Sequence, residues 1–369
     1  MTTPPPPPPA PGFQPPSWTG PGPQQPGYPP AASPAYGPPG PAPQTGWVGY
    51  PSGYAPVAPA GRPPALPNEP VEYQHVLRGA RKAWWRPLVS FLLVVAGVLF
   101  ATVVIVIVSA VGYFVLGGGL DTFEDMALDF NNPVTFAVQN LWLAALIPIA
   151  GLATWVAHGV RPGFVSSVVG RFRWGWFGWC LAVIVPLWLA YIGIATLIDG
   201  GDLGGTAQRP STWVVLLVLT LLTTPLQAAG EEYLFRGWLM QQIGAWVKNT
   251  YAALAIAVVL SSVVFALAHT SLDPWILIDL GSFAAAMVLL TWRTGGLEAA
   301  VALHIVNNVI VLILSILTTG LQDAFITTDT TSDPVTTVIS FVSLSITTAA
   351  IWWLAGKRGI ARRTVGATA

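Results

Sequence analysis

Glu231-Glu232-Tyr233-Leu234-Phe235-Arg236 follows directly on an apolar run, Trp213 to Leu226, in a chain of which only 9% is charged. An ionised side chain at mid-bilayer costs about 2.5–3.5 kcal/mol. Two adjacent carboxylates roughly double that unless they are paired, hydrated or protonated. Two further polar groups break apolar runs downstream: Phe265-Ala266-Leu267-Ala268-His269, and His304-Ile305-Val306-Asn307-Asn308. The three stretches read as one site, and the rest of the chain as the scaffold that assembles it.

The surrounding composition sets the class. The chain has 369 residues, is 53% hydrophobic and has a mean hydropathy of +0.61. Soluble domains are about a quarter charged, so the expected fold class is all-α, a polytopic membrane protein. Formal net charge is zero, which leaves no electrostatic footprint for nucleic acid. The single cysteine, Cys180, rules out an intrachain disulfide and a cysteine metal cluster. The amino-terminal sequence has no basic segment followed by a short apolar core, so the first apolar run is expected to be a retained anchor.

Residues 1–70 hold 26 of the 35 prolines, with only Arg62 and Glu69 charged. Such a stretch buries too little apolar surface to offset its ordering entropy, so it is expected to be a disordered cytoplasmic tail. Its run Pro4 to Pro9 suits a proline-recognising partner. Residues 71–87 form a juxtamembrane segment in which Arg78, Arg81, Lys82 and Arg86 surround Trp84 and Trp85, a composition suited to lipid headgroups. About eight transmembrane helices follow, expected at 88–117, 134–158, 174–198, 212–230, 251–269, 274–292, 297–318 and 335–355. Each is long enough for a hydrocarbon core of about 30 Å. These divide into first spans over 88–209, a core over 210–320, and a last helix with a basic tail over 321–369. With Arg236 counted inside, 15 of the 16 Lys and Arg fall on one side of this topology and only Arg209 on the other. That bias places both termini in the cytoplasm and an integral protein in what is expected to be a bacterial cell membrane, in contact with its lipids.

On a helix Glu232 and Arg236 are four apart and can form an ion pair. Glu231, rotated by about 100°, stays free to act as a general base. The competing reading is a helix end with solvated charges. His269 closes its run and, taken alone, could simply bond a backbone carbonyl. His304 and Asn308 share one face, with Asn307 beside them, and could donate two hydrogen bonds to one oxygen or serve as interhelical glue. Together, a base, two histidines and an amide are the parts that activate water and hold an oxyanion. Zinc is a second option, since His and Glu ligate it in hydrolases, yet the chain has no His-Glu-x-x-His and no histidine pair at i and i+4. The cofactor therefore stays open between zinc and none. One mismatch stands in straight-helix counting: His269 lies about 27 Å into its span and His304 only about two turns into its own. Convergence then requires a helix over 226–246 that dips back, kinked at Pro225, or a fifth span that starts later.

These residues resemble the CAAX prenyl protease and bacteriocin-processing family, whose signature is Glu-Glu-x-x-x-Arg, then Phe-x-x-x-His, then His-x-x-x-Asn. The resemblance covers roughly residues 210–320. It implies a membrane-embedded endopeptidase, often labelled a metalloprotease, acting on membrane-anchored peptides or proteins. Carried over, Glu231 and His269 prepare the water, His304 and Asn308 hold the oxyanion, and Glu232 and Arg236 position the site. The alternatives are a non-proteolytic immunity or scaffold protein of the same fold and, further off, a transporter.

Overall fold

A computed structural model describes residues 63–115, 117–198, 209–318 and 320–366. Residues 1–62 of the proline-rich tail and the loop 199–208 lie outside the described residues. The described chain is helical, with two isolated bridges, Glu72 to Arg363 and Ser167 to Gly296, and no strand among the described residues.

Among the described residues, eight helices are long and apolar enough to cross a membrane. The first is α1 (Arg86–Val115). A short amphipathic α2 (Leu120–Leu128) follows. The second crossing is made by α3 (Pro133–Ala144) and α4 (Leu146–His158), which break at Ala145. Pro148 explains the break, because it has no N–H for the carbonyl of Ala144. One turn, α5 (Gly163–Ser166), precedes the third crossing, α6 (Trp174–Ile198). The fourth is one continuous helix: α7 (Trp213–Glu232), a π-helical turn over Tyr233–Leu239, and α8 (Met240–Trp246). Then come α9 (Thr250–Leu267), α10 (Pro274–Thr294), α11 (Glu298–Leu317) and α12 (Pro334–Lys357).

The starts follow from local chemistry. Asn132, Asp273 and Asp333 each accept a backbone N–H at a helix start, and each is followed by a proline whose missing N–H costs nothing there. The turn between α10 and α11 ends on Gly295 at φ 62°, a left-handed position that suits glycine.

Burial ranks the helices. Of the most apolar 18-residue window of α1, 6% is buried within the protein, against 44% for α11. The first is therefore a lipid-facing flank and the second the central post. Two apolar clusters meet on α11. Ala299, Ala300, Leu303 and Val306 pack against α6, α10 and α12 through Cys180, Ile184, Met287, Leu290, Leu344 and Ile351. Val301 joins Met240 and Ile243 of α8, Ala253 and Ala257 of α9, and Val288 of α10.

The fourth crossing corrects the sequence expectation. It does not end at residue 230, nor does the chain turn back at Pro225; the helix runs on to Trp246, with Glu231 well inside it. The fifth crossing starts at Thr250 rather than later, and His269 lies just past its end. What brings the third motif within reach is the recessed start of α11. Its first turn lies beneath loops: Leu297 N–H donates to Ser166 O, Val168 N–H donates to Gly295 O, and Glu298 is fully buried on Arg173, at 2.6 Å.

The same basic end of the bundle is closed by the segment before α1. Residues 63–70, grouped with the tail by composition, lie along this segment, with Ala65 and Leu66 against Val76 and Leu77. The Tyr73 hydroxyl donates to Val165 O, and Arg78 donates to the last carbonyls of α8, Gly244 and Ala245. Val71 pairs with Thr364 through two hydrogen bonds. Burial raises the Glu72 carboxyl, but bonds from Trp292 and Gln74 and the charges of Arg362 and Arg363 outweigh it and hold the group below its usual value. A carboxylate lowered on folding contributes attachment above about pH 4 that is lost as pH falls through the lowered value.

Two outcomes follow. Glu72→Gln removes the charge at neutral pH and is expected to speed tryptic cleavage after Arg78, Arg81 and Lys82, scored by peptide mass. At Gly230, where α7 crosses α3, a Cβ would sit 2.0 Å from the carbonyl oxygen of Leu143. Gly230→Ala is therefore expected to force the two helices apart and cost about 1–3 kcal/mol, read as a lowered thermal midpoint of the detergent-solubilised protein.

Candidate active site

The paired glutamates sit where the α7 helix widens into its π turn. A π turn adds a residue to the helical repeat, resets the face presented downstream, and is frequent at functional sites. Within it Arg236 turns back to Glu232, the two separated by 3.0 Å and both fully buried. The same oxygen, Glu232 Oε1, also accepts from His304 Nδ1 at 2.8 Å. One buried carboxylate oxygen thus ties the first motif to the third. With Nδ1 engaged, the His304 ring presents Nε2, which lies 3.8 Å from Glu231 Oε2.

Two adjacent carboxylates consequently have different surroundings. Glu232 is sealed in and spoken for, whereas the Glu231 side chain keeps 15% of its surface exposed. Glu231 Oε1 accepts from Gln227 Nε2, one turn back on α7, and Gln227 Oε1 accepts from Asn308 Nδ2 at 3.1 Å. Asn308 thereby joins the same group, and Asn307 bonds Asn308 at 3.0 Å. Glu232 Oε2 and Arg236 Nε and Nη2 are buried without a protein partner. Buried polar atoms are nearly always satisfied, so unpartnered ones at this centre mark a place for water or a polar ligand.

Phe265 is the hub on the second motif. The Arg236 guanidinium carbon lies 4.7 Å from its ring centroid. The His269 ring lies tilted against it at 4.8 Å and His304 meets it edge-on at 6.0 Å. An arginine over an aromatic face is attracted by the ring quadrupole, so the same phenylalanine helps hold the buried cation and orients both imidazoles. Phe283 of α10 closes the cluster at 5.5 Å from His304.

His269 is placed differently from the others. Its Nδ1 bonds the Phe265 carbonyl at 2.8 Å, within its own turn, and it reaches the group through the Phe265 ring rather than by a hydrogen bond to Glu231. That leaves Nε2 free of the backbone. The next residue, Thr270, has φ 65°. For a β-branched residue this is a strained conformation, and it sets the sharp exit that leaves His269 at the rim of α9.

The structure therefore brings Glu231, Glu232, Arg236, His304 and Asn308 into one hydrogen-bonded and ion-paired group, with His269 at its edge. Sequence reasoning did not single out Gln227 or Phe283. Gln227 had a signal: a glutamine four residues before Glu231, at the end of an apolar run. A hydrolytic zinc centre takes three protein ligands. Among the described residues no three His, Cys, Asp or Glu side chains converge as a metal-binding set, and Glu232 and His304 Nδ1 already satisfy one another.

Comparison with known proteins bears on the same segment. Residues 210–310 match the family described as type II CAAX prenyl endopeptidase, Rce1-like. A curated relative, the uncharacterized protein YyaK of Bacillus subtilis (strain 168), is 23% identical over 179 residues, 47% of this chain and 56% of the relative. The chain thus spans little more than half the length of that relative. No solved structure matches.

The asymmetry of the two glutamates yields a stability outcome. Glu232→Ala strands the Arg236 guanidinium in the interior and is expected to cost about 3–5 kcal/mol. Glu231→Ala removes a partly exposed acid and is expected to leave the thermal midpoint within a few degrees of the parent. Unfolding of both variants in the same detergent checks the contrast.

Proposed function

Because this chain carries, over residues 210–310, the membrane core of the CAAX prenyl protease and bacteriocin-processing family, we propose that it is an intramembrane endopeptidase. Members of that family are generally intramembrane peptidases. The observation that carries the reading is the division of labour between adjacent acids. Glu232 is paired with Arg236 and bonded by His304, while Glu231 keeps an oxygen 3.8 Å from the His304 ring on a side chain that is partly exposed.

In this reading Glu231 takes a proton from a water held between it and the histidines, and the resulting hydroxide attacks the scissile carbonyl carbon. Asn308 and the His304 ring stabilise the oxygen as it gains negative charge. Glu231 then returns the proton to the leaving amine as the C–N bond breaks. His269, with Nε2 free of the backbone, orients the water beside Glu231. Donors aimed at a developing oxyanion in a site poor in water are worth far more than in bulk solvent. The Glu232–Arg236 pair keeps His304 in place and takes no part in proton transfer. The donor set favours water activation without metal, so no step is routed through zinc. The substrates proposed are membrane-anchored peptides or proteins, prenylated C-terminal peptides among them.

The test is cleavage of a panel of membrane peptides, including a farnesylated C-terminal peptide, by the purified full chain in lipid. Wild type and Glu231→Ala are compared with and without a zinc chelator. The expected result is cleavage by wild type, unchanged by chelator and lost by at least about a hundredfold in the variant. Chelator-sensitive cleavage would replace the metal-free scheme, and full activity in Glu231→Ala would remove the mechanism.

A further inference from the structure

The hydrogen bonds leading to Glu231 form a one-way chain of amides. Asn307 Nδ2 donates to Asn308 Oδ1, Asn308 Nδ2 donates to Gln227 Oε1, and Gln227 Nε2 donates to Glu231 Oε1. The direction is imposed from one end. An ionised carboxylate only accepts, so Gln227 must turn its NH2 toward Glu231 and its oxygen toward α11. That oxygen in turn demands the NH2 of Asn308, and the Asn308 oxygen then faces the NH2 of Asn307. Reversing any one amide would set two donors or two acceptors against each other in a partly buried setting, which is costly. Gln227 itself is 8% exposed. Its α7 neighbourhood is anchored one turn earlier by Asn140 of α3, which donates to Thr223 and Thr224.

From this geometry we infer that Gln227 is a positioning residue that couples the charge on Glu231 to the orientation of the Asn308 amide. Asn308 has two N–H groups. One is engaged by Gln227, and the direction of the second, the one left for a ligand oxygen, is fixed by the chain. Gln227 thus holds the carboxylate on α7 and the amide on α11 in register. The same bonds hold Glu231 Oε1 in place, leaving Oε2 as the oxygen that faces His304. A chain of this kind is cooperative, since each donated bond polarises the next amide.

The catalytic side of this inference rests on the peptidase reading; the coupling does not. Two independent readouts separate them. The full chain, with its side-chain amides labelled with nitrogen-15, is placed in lipid nanodiscs and followed by magnetic resonance. The Asn308 signals are assigned by comparison with Asn308→Asp. Glu231→Gln is expected to displace the Asn308 side-chain amide signals, since Gln227 bonds both residues. The same change made in a Gln227→Met background is expected to leave them in place. Equal displacement in both backgrounds, or none in either, would overturn the coupling.

In the peptide-cleavage assay, Gln227→Met is expected to lower kcat about 10–100-fold, with KM within about twofold. A change confined to KM, or no change, would overturn the positioning role. Should the Met variant lose its fold, as read by size-exclusion elution, Gln227→Asn keeps an amide one methylene short and is read against the same outcomes. If wild type cleaves none of the peptides, the peptidase reading fails while the resonance arm still decides the coupling.

Discussion

One carboxylate oxygen organises the centre of this protein. Glu232 Oε1 accepts from Arg236 on its own helix and from His304 on α11. In a low-dielectric interior a lone carboxylate or guanidinium is untenable, so the two must find each other. The histidine that leans on the same oxygen is then fixed in orientation at no further electrostatic cost. Much else about the fold serves to keep that contact. The π turn directs Arg236 inward, Gly230 lets α7 close on α3, and the loops over the start of α11 bring His304 to the depth of the glutamates. Phe265 supplies an aromatic face for the arginine where a second carboxylate would have added another charge to bury.

The adjacent Glu231 shows why a pair is useful where one acid would not suffice. The first acid is held by Arg236 and His304 through one oxygen, and the second keeps a hydrogen bond from Gln227 with the His304 ring 3.8 Å away. Hydrophobic burial supplies little specificity between helices in lipid. Register between α7 and α11 therefore depends on these few polar contacts, while Gly230 lets α7 approach α3 closely. The polar centre is at once the chemistry and the fastener of the helices that carry it.

The number of crossings was legible in the chain because eight apolar runs are separated by polar loops, and the asparagine, aspartate and proline starts are local signals. The end of the fourth crossing was not legible. Glu231, Glu232 and Arg236 read locally as a helix reaching water, whereas Glu232 and Arg236 are interior groups that neutralise one another across a turn, with Glu231 beside them in mid-helix. Hydropathy sums residues one at a time and has no term for such pairing. The Glu232–Arg236 pair itself could be read from a spacing of four. Its partnership with His304, 72 residues later, could not, because that depends on how far α11 is recessed. Gln227 carried a faint signal, but nothing in the chain announces that an amide on one helix will meet Asn308 on another. The placement of His269 just past the end of α9 rests on the unusual conformation of Thr270, which no propensity predicts for a β-branched residue.

The seam between residues 71–72 and 362–364 has a consequence for how the molecule is made. Val71 and Glu72 emerge from the ribosome before any of the eight crossings. Their partners Thr364, Arg362 and Arg363 emerge after all of them. The basic end of the bundle, which shelters the first turn of α11, is therefore fastened last. During synthesis the helices that carry the polar centre are already inserted while the fastening is still missing. The finished arrangement can form only once residues 362–364 have been made, so the order of synthesis itself supplies a timing step.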